Sequence, residues 1–438
     1  MVEASFTISD ARLVCPFQEI DEVGSLVVRD GRIESVSFGP AQPQRAGPHI
    51  DGQGLAVAPG FIDLNAFSGE PGREYVGDLT TLACAAARGG FSAVSVSPMT
   101  QPVADNVSAA THVRRASRRA KAAILHPIGT VTVGARGERL TDMFDLGDEG
   151  VVALTDGPSG VRSSSILRRA MEYAHAAGLP ILEAPSDPGL AGSGVMHEGV
   201  VATQLGLAGI PSAAEEVRVA RGIALSRQSQ IPLHIGPIST AVAVDLIEQA
   251  KASHVPVTCS VAASHLHFVD EDIAQGWSTD LKLEPPLRTR TDRARLWTGV
   301  QHGVIDVIVS GHRPQGLVDK EVPFSKAQPG MVGLETCLGS LMLLVEQGRL
   351  SLSTVIRGLT YGPARLLGLG TQGLAEGARA DLTIFHPTKK CRVEEQSLLS
   401  RSNNSPFLGA VLPGEALLTM AQGRTIFIHS EFQEKAWR

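Results

Sequence analysis

Short apolar runs broken by turn residues mark both ends of the chain as strand-rich, and a different rhythm runs between them. Residues 25–28 and 33–38, two short strand-like runs, flank Asp30-Gly31. Both positions of that pair tolerate positive φ, so the spacing predicts a β-hairpin. Residues 40–48 are polar and proline-rich and read as a surface loop. From about 58 to 368, short apolar runs recur at 61–64, 91–96, 123–128, 151–154, 180–182, 232–235, 255–259 and 305–309. Between them lie 163–177, 215–227, 241–252 and 293–302, where apolar residues return every three or four positions, as an amphipathic helix requires. Ser239-Thr240 predicts an N-cap before the third of these. Strand and helix alternating through about eight units predict parallel strands with helical crossovers closed into a (β/α)8 barrel; an open doubly wound sheet is the competitor. Beyond 370 the pattern is strand-rich again, at 380–385, 416–420 and 425–428. Two β-rich ends flanking a barrel predict one small β-sandwich built from both termini, residues 1–57 and 369–438 around a barrel at 58–368.

Composition narrows the function more than the fold. With 43% hydrophobic and 19% charged residues over 438 positions, the chain is of ordinary globular make-up. A net charge of −6 and 4% aromatics argue against a nucleic-acid surface or a base-stacking platform. The five cysteines, Cys15, Cys84, Cys259, Cys337 and Cys391, are scattered and never in Cys-x-x-Cys spacing, which fits free thiols in a reducing cytosol. No run reaches the roughly 18 apolar residues of a membrane span. The start, Met-Val-Glu-Ala-Ser, lacks a secretory signal pattern. A cytoplasmic protein without membrane contact is expected. One local charge cluster stands out, Arg114-Arg115-Ala116-Ser117-Arg118-Arg119-Ala120-Lys121. It reads either as the solvated face of the second barrel helix or as a docking face for an acidic partner.

The stretch from Pro59 to Gly72, containing Phe61-Ile62-Asp63-Leu64-Asn65-Ala66-Phe67, resembles the first barrel strand of the dihydroorotases, members of the amidohydrolase superfamily. Further matches follow in order along nearly the whole chain: Ala86-Ala87-Arg88-Gly89-Gly90-Phe91, Pro285-Pro286-Leu287-Arg288, Gly330-Met331-Val332-Gly333-Leu334-Glu335-Thr336, Ala380-Asp381-Leu382 and Asn404-Ser405-Pro406-Phe407. The resemblance implies a barrel with a mouth that holds zinc and a carboxylate substrate. At the implied positions this chain differs. Asn65 and Phe67 flank the end of the strand that the family finishes in His-x-His, and Gly69 replaces a substrate-gripping arginine. Met99 takes the place of a substrate asparagine, and Asp156 is what remains of a bridging carboxylate run. Ala184 stands nearest the fifth-strand histidine; His234 keeps the first sixth-strand histidine while Pro237 replaces the second, a metal ligand. Glu284 replaces another substrate asparagine, and Gly311, before His312, replaces the aspartate general base.

A catalytic zinc needs three protein ligands or more, and Phe67, Ala184 and Pro237 offer none. The resemblance therefore carries the expectation of no metal, no cofactor, no catalytic residue and no enzymatic activity. On that expectation the chain is similar to the non-catalytic dihydroorotase homologues that form a complex with aspartate carbamoyltransferase in bacterial pyrimidine synthesis. Aspartate carbamoyltransferase is then the expected partner, in a hetero- or homo-oligomer. Two alternatives stand beside it. One is a metal-dependent cyclic amidohydrolase with a relocated or single-metal site built from His312, Asp156 and the His265/His267 pair. The other is a sensor holding a pyrimidine intermediate. The plainer expectation for His265 is a remnant of the family's Pro-His-His-Leu stretch, with His267 packed or solvated. Phe67 is expected to point into the former metal space and pack with Ala184 and Pro237.

Overall fold

Asp30 and Gly31 adopt φ of 47° and 71° and turn the chain between two antiparallel strands, as their composition dictates. The computed structural model describes residues 5–39, 47–370 and 373–436; most of the expected loop at 40–48 falls outside them. The first five strands are β1 (Phe6–Cys15), β2 (Ile20–Arg29), β3 (Arg32–Phe38), β4 (His49–Asp51) and β5 (Ala56–Pro59). Next come β6 (Phe61–Ala66), β7 (Phe91–Val96), β8 (Ile124–Gly129), β9 (Ala153–Leu154) and β10 (Leu182–Glu183). A short parallel pair, β11 (Met196–His197) and β12 (Gly209–Ile210), precedes β13 (Leu233–Ile235), β14 (Val257–Ala262) and β15 (Val307–Val309). The chain ends in β16 (Leu382–Arg392), β17 (Val411–Ala421), β18 (Arg424–Ile428) and a last helix.

The middle strands pair in parallel as β6-β7-β8-β9 and β10-β13-β14-β15. A bridge between Leu154 and Ile181 joins the two halves at one seam. At the other seam the buried Asp63 carboxylate of β6 accepts the Ser310 backbone N–H at 2.8 Å and its hydroxyl at 2.6 Å, while the Phe67 N–H donates to the His312 carbonyl at 2.9 Å. The strands therefore close into a (β/α)8 barrel, and the open-sheet alternative is excluded.

The helices start where their caps place them. Asp78 caps α1 (Leu79–Arg88), Asn106 caps α2 (Val107–Ala120), and Thr240 accepts the Ala243 N–H at 3.2 Å ahead of the helix Ala241–Ala252. Among the described residues, no helix is long and apolar enough to cross a membrane.

Both chain ends share one eight-stranded sheet, in the order β18-β17-β16-β5-β1-β2-β3, with β4 beside β1. It folds round its own apolar core, in which Phe6, Leu26 and Ile33 join Leu382, Leu418 and Met420. The curl brings the turn at Gly31 against that at Gly423, so closely that a Cβ on Gly31 would meet the Gly423 carbonyl oxygen at 2.7 Å. The motifs shared with the family fasten this sheet to the barrel. Thr383 Oγ1 donates to the Gly90 carbonyl at 2.6 Å, and the Gly60 N–H donates to that of Asp381 at 2.9 Å. Arg88 lies 3.4 Å from Glu335, whose carboxylate also accepts the Leu399 and Ser400 N–H groups. Asn404 accepts the Gln315 N–H at 2.9 Å and donates to the Gly330 carbonyl at 3.0 Å, which fixes the loops above the last barrel strand.

Candidate functional site

The ends of the barrel strands surround a cavity of about 100 Å³. Asn65, Phe67, Ala184, Pro237, Glu284 and Gly311 all line it. These residues come from five different strand ends. The other four positions lie elsewhere, each for a local reason. Gly69 is enclosed by its own turn, where an added Cβ would collide with the Arg73 carbonyl and sit 2.5 Å from that of Gly77. Met99 packs on Gly157, at 2.6 Å from where a Cβ there would lie. Asp156 is buried and turned to Thr132, accepting its N–H at 2.9 Å and its hydroxyl at 2.5 Å. His312 takes the Gly333 N–H on Nδ1 at 3.3 Å.

Phe67 faces a cation as well as apolar neighbours. It lines the cavity together with Ala184 and Pro237, and the Arg313 guanidinium lies over its ring, 4.9 Å from the centroid. Arg313 in turn is bridged to Glu284 at 2.7 Å. An aromatic face at a half-exposed rim attracts a cation electrostatically, and the space below stays open. Arg313 was not foreseen. Its one signal is that it follows His312 where the family motif carries alanine. Nor were Ser260 and Ser264 of the cavity wall foreseen, because hydroxyls on strand ends carry no pattern of their own.

His234 and His265 are committed to hydrogen bonds, and His267 to ring packing. His234 lines the cavity floor, but its Nδ1 is 2.9 Å from Thr258 Oγ1 and its Nε2 3.0 Å from Ser260 Oγ. Burial lowers its pKa to about 3, so the ring is neutral, with one nitrogen donating and the other accepting. Nε2 of His265 donates to the Pro285 carbonyl at 2.9 Å, and burial lowers its pKa to about 4. His267 packs edge-on against Phe268 and Phe407, at 4.8 and 5.0 Å between ring centroids.

The relocated-site alternative is therefore not assembled. Asp156, His312 and His265 each bond elsewhere, and His267 packs among aromatic rings with its Nδ1 unpartnered. Among the described residues no group of three His, Cys, Asp or Glu side chains converges to hold a metal ion. The zinc that the fold family implies does not fit the residues of this mouth. One polar atom there is unsatisfied: Asn65 Oδ1 is buried with no hydrogen-bond partner.

With the geometry in view, comparison with known proteins adds three findings. Residues 54–242 match the dihydro-orotase-like family. The protein named dihydroorotase from Geotalea daltonii is 40% identical over 419 residues, spanning 96% of this chain and 98% of the relative. That from Pelobacter propionicus is 38% identical over 421 residues, 96% of this chain and 99% of the relative. The L-hydantoinase (dihydropyrimidinase) from Arthrobacter aurescens has the same fold, with a TM-score of 0.85 over 96% of both chains at 24% identity. These findings correct the expectation that the chain is not an enzyme, because relatives at 38–40% identity along nearly its full length carry an enzyme's name. The physical reason is that the missing ligands speak only to one metal-dependent route, whereas an open cavity persists at the same barrel mouth.

Proposed function

The chain belongs to the dihydroorotase family, and from that premise we propose that it serves pyrimidine biosynthesis as a subunit assembled with aspartate carbamoyltransferase. One observation carries the reading. The framework residues remain in structural bonds, as with Arg88–Glu335, Thr383–Gly90 and Asn404 to Gln315 and Gly330, while the mouth has exchanged its ligand set for Phe67, Arg313 and Glu284. A chain held to its shape more closely than to its mouth chemistry fits a role played through its surface. A specific interface of standard size buries on the order of 1,600 Å². Mixed at micromolar concentration, the two proteins are expected to co-elute in size-exclusion chromatography, and Phe67→Ala leaves that complex intact. Separate elution, with a transferase equally stable alone, defeats the reading.

A second reading is favoured by Asn65 Oδ1 and by the relatives' name. A ring bearing an amide N–H would satisfy that buried acceptor, whose isolation costs roughly 1–3 kcal/mol. Dihydroorotate is the ring the name suggests. Calorimetric binding of dihydroorotate that weakens by about tenfold in Asn65→Ala is the expected result, equivalent to about 1.4 kcal/mol. Equal binding by both proteins would place the ring elsewhere.

A further inference from the structure

Neither reading uses the basic run of α2. Arg118 and Lys121, together with Arg424 from the turn between β17 and β18, line a groove of about 520 Å³ where the barrel meets the terminal sheet. Arg114 lines the same groove as Arg118 and Lys121 but is neutralised by a neighbouring carboxylate. It is held by Glu149, at 2.8 Å from its carboxylate and 2.9 Å from its carbonyl oxygen. Arg118, Lys121 and Arg424 are all exposed, and their side chains make no hydrogen bond or ion pair with any described residue. No aspartate or glutamate lines the groove. Arg115 and Arg119, on the same helix, lie outside it.

Leu125, Pro127 and Ile426 supply an apolar part of the groove's lining. At its edge Ser117 Oγ accepts the Leu125 N–H at 2.8 Å, which leaves the hydroxyl proton to donate elsewhere. His126, also in the lining, is kept neutral near pH 7 because burial lowers its pKa to about 4. Three uncompensated cations thus gather in one concavity of a chain whose net charge is −6. Like charges held together repel, and an anion seated among them removes that cost.

We propose that this groove is a binding site for a small phosphate-bearing anion, its phosphate held among Arg118, Lys121 and Arg424 and its remainder beside the apolar part of the lining. Two arguments favour a small anion over an acidic protein segment. The volume lies within the range of small-ligand clefts, ~300–1,000 Å³. Guanidinium forks match phosphate oxygens in pairs, a geometry a compact tetrahedral anion meets directly. No residue lines both this groove and the mouth cavity, so the proposal stands apart from either functional reading.

The test is isothermal titration of the full chain with inorganic pyrophosphate at low ionic strength, where charge interactions are least screened. Saturable binding at one site per chain is expected. It should weaken by about tenfold in Arg118→Gln and in Arg424→Gln, as loss of a charge-assisted contact implies. Arg115→Gln and Arg119→Gln should bind as the parent does, and circular dichroism should show all four variants folded. No saturable binding would overturn the proposal. So would equal weakening in the Arg115 and Arg119 variants, which would signal diffuse charge, or displacement of pyrophosphate by polyglutamate at lower concentration, which would signal a protein-docking face.

Discussion

An added Cβ at Gly69 has no free space, because the turn from Gly69 to Gly77 closes over it: the Arg73 N–H donates to the Gly69 carbonyl at 2.6 Å, and the Gly69 N–H to that of Gly77 at 3.0 Å. An arginine at this position, as the family resemblance implies, would disrupt the turn before reaching a ligand. Gly69→Ala is expected to cost about 2–4 kcal/mol in urea unfolding; a loss within experimental error would show that the turn yields. Buried histidines give a second prediction at this scale. The folded pKa of His234, about 3, lies below the unfolded value near 6.5. Between those values the unfolded chain binds more protons, so this residue's contribution is complete above about pH 6.5 and is lost as pH falls toward 3. Buried Asp63 and Asp156, whose pKa values are raised by burial, act in the opposite sense, so the comparison must be between variants. His234→Gln should gain stability relative to the parent by up to about 1.4 kcal/mol per pH unit as pH is lowered through that window. A constant difference between pH 6.5 and 4 would mean that the ring is accessible to protons when folded.

Among the elements, the seam between β6 and the segment after β15 is held by one backbone bond, from the Phe67 N–H to the His312 carbonyl, and by a single carboxylate. Strand pairing closes the other junctions, whereas here Asp63 takes both the N–H and the hydroxyl of Ser310. Asp63→Ala would leave two buried donors unpaired and is expected to cost about 3 kcal/mol or more. Asp63→Asn keeps one acceptor oxygen and should lose less. The measured order of the two variants checks the account, and equal losses would point to side-chain volume rather than hydrogen bonding.

Across the whole molecule, stability rests on packing and on the bonds that tie the terminal sheet to the barrel. Because no described group of side chains is disposed to hold a metal, chelation should leave Tm unchanged to within about 1 °C, whereas a protein that binds metal only when folded loses that linkage on metal removal. A clear fall in Tm with a chelator would reveal a metal site that the described residues do not account for.

The sequence by itself determined the barrel and the joining of the two ends. Periodicity of two or of three to four is a local record of which face is buried, and turn pairs such as Asp30-Gly31 constrain φ without help from distant residues. Strand Phe91–Val96 matches its apolar run to the residue; Ala153–Leu154 and Leu182–Glu183 are shorter than or shifted from theirs, because pairing rather than hydropathy sets strand ends. Reading the ligand positions one by one showed which metal donors were gone, yet it led to the expectation of a non-enzyme, which the named relatives correct. Only the tertiary structure decided what those residues do instead. Asp156 turned to Thr132, His234 to Thr258 and Ser260, and His312 to Gly333, while Arg313 found Phe67 on the first strand. A buried polar side chain bonds to whichever partner the fold brings within reach, and those partners lie on other elements.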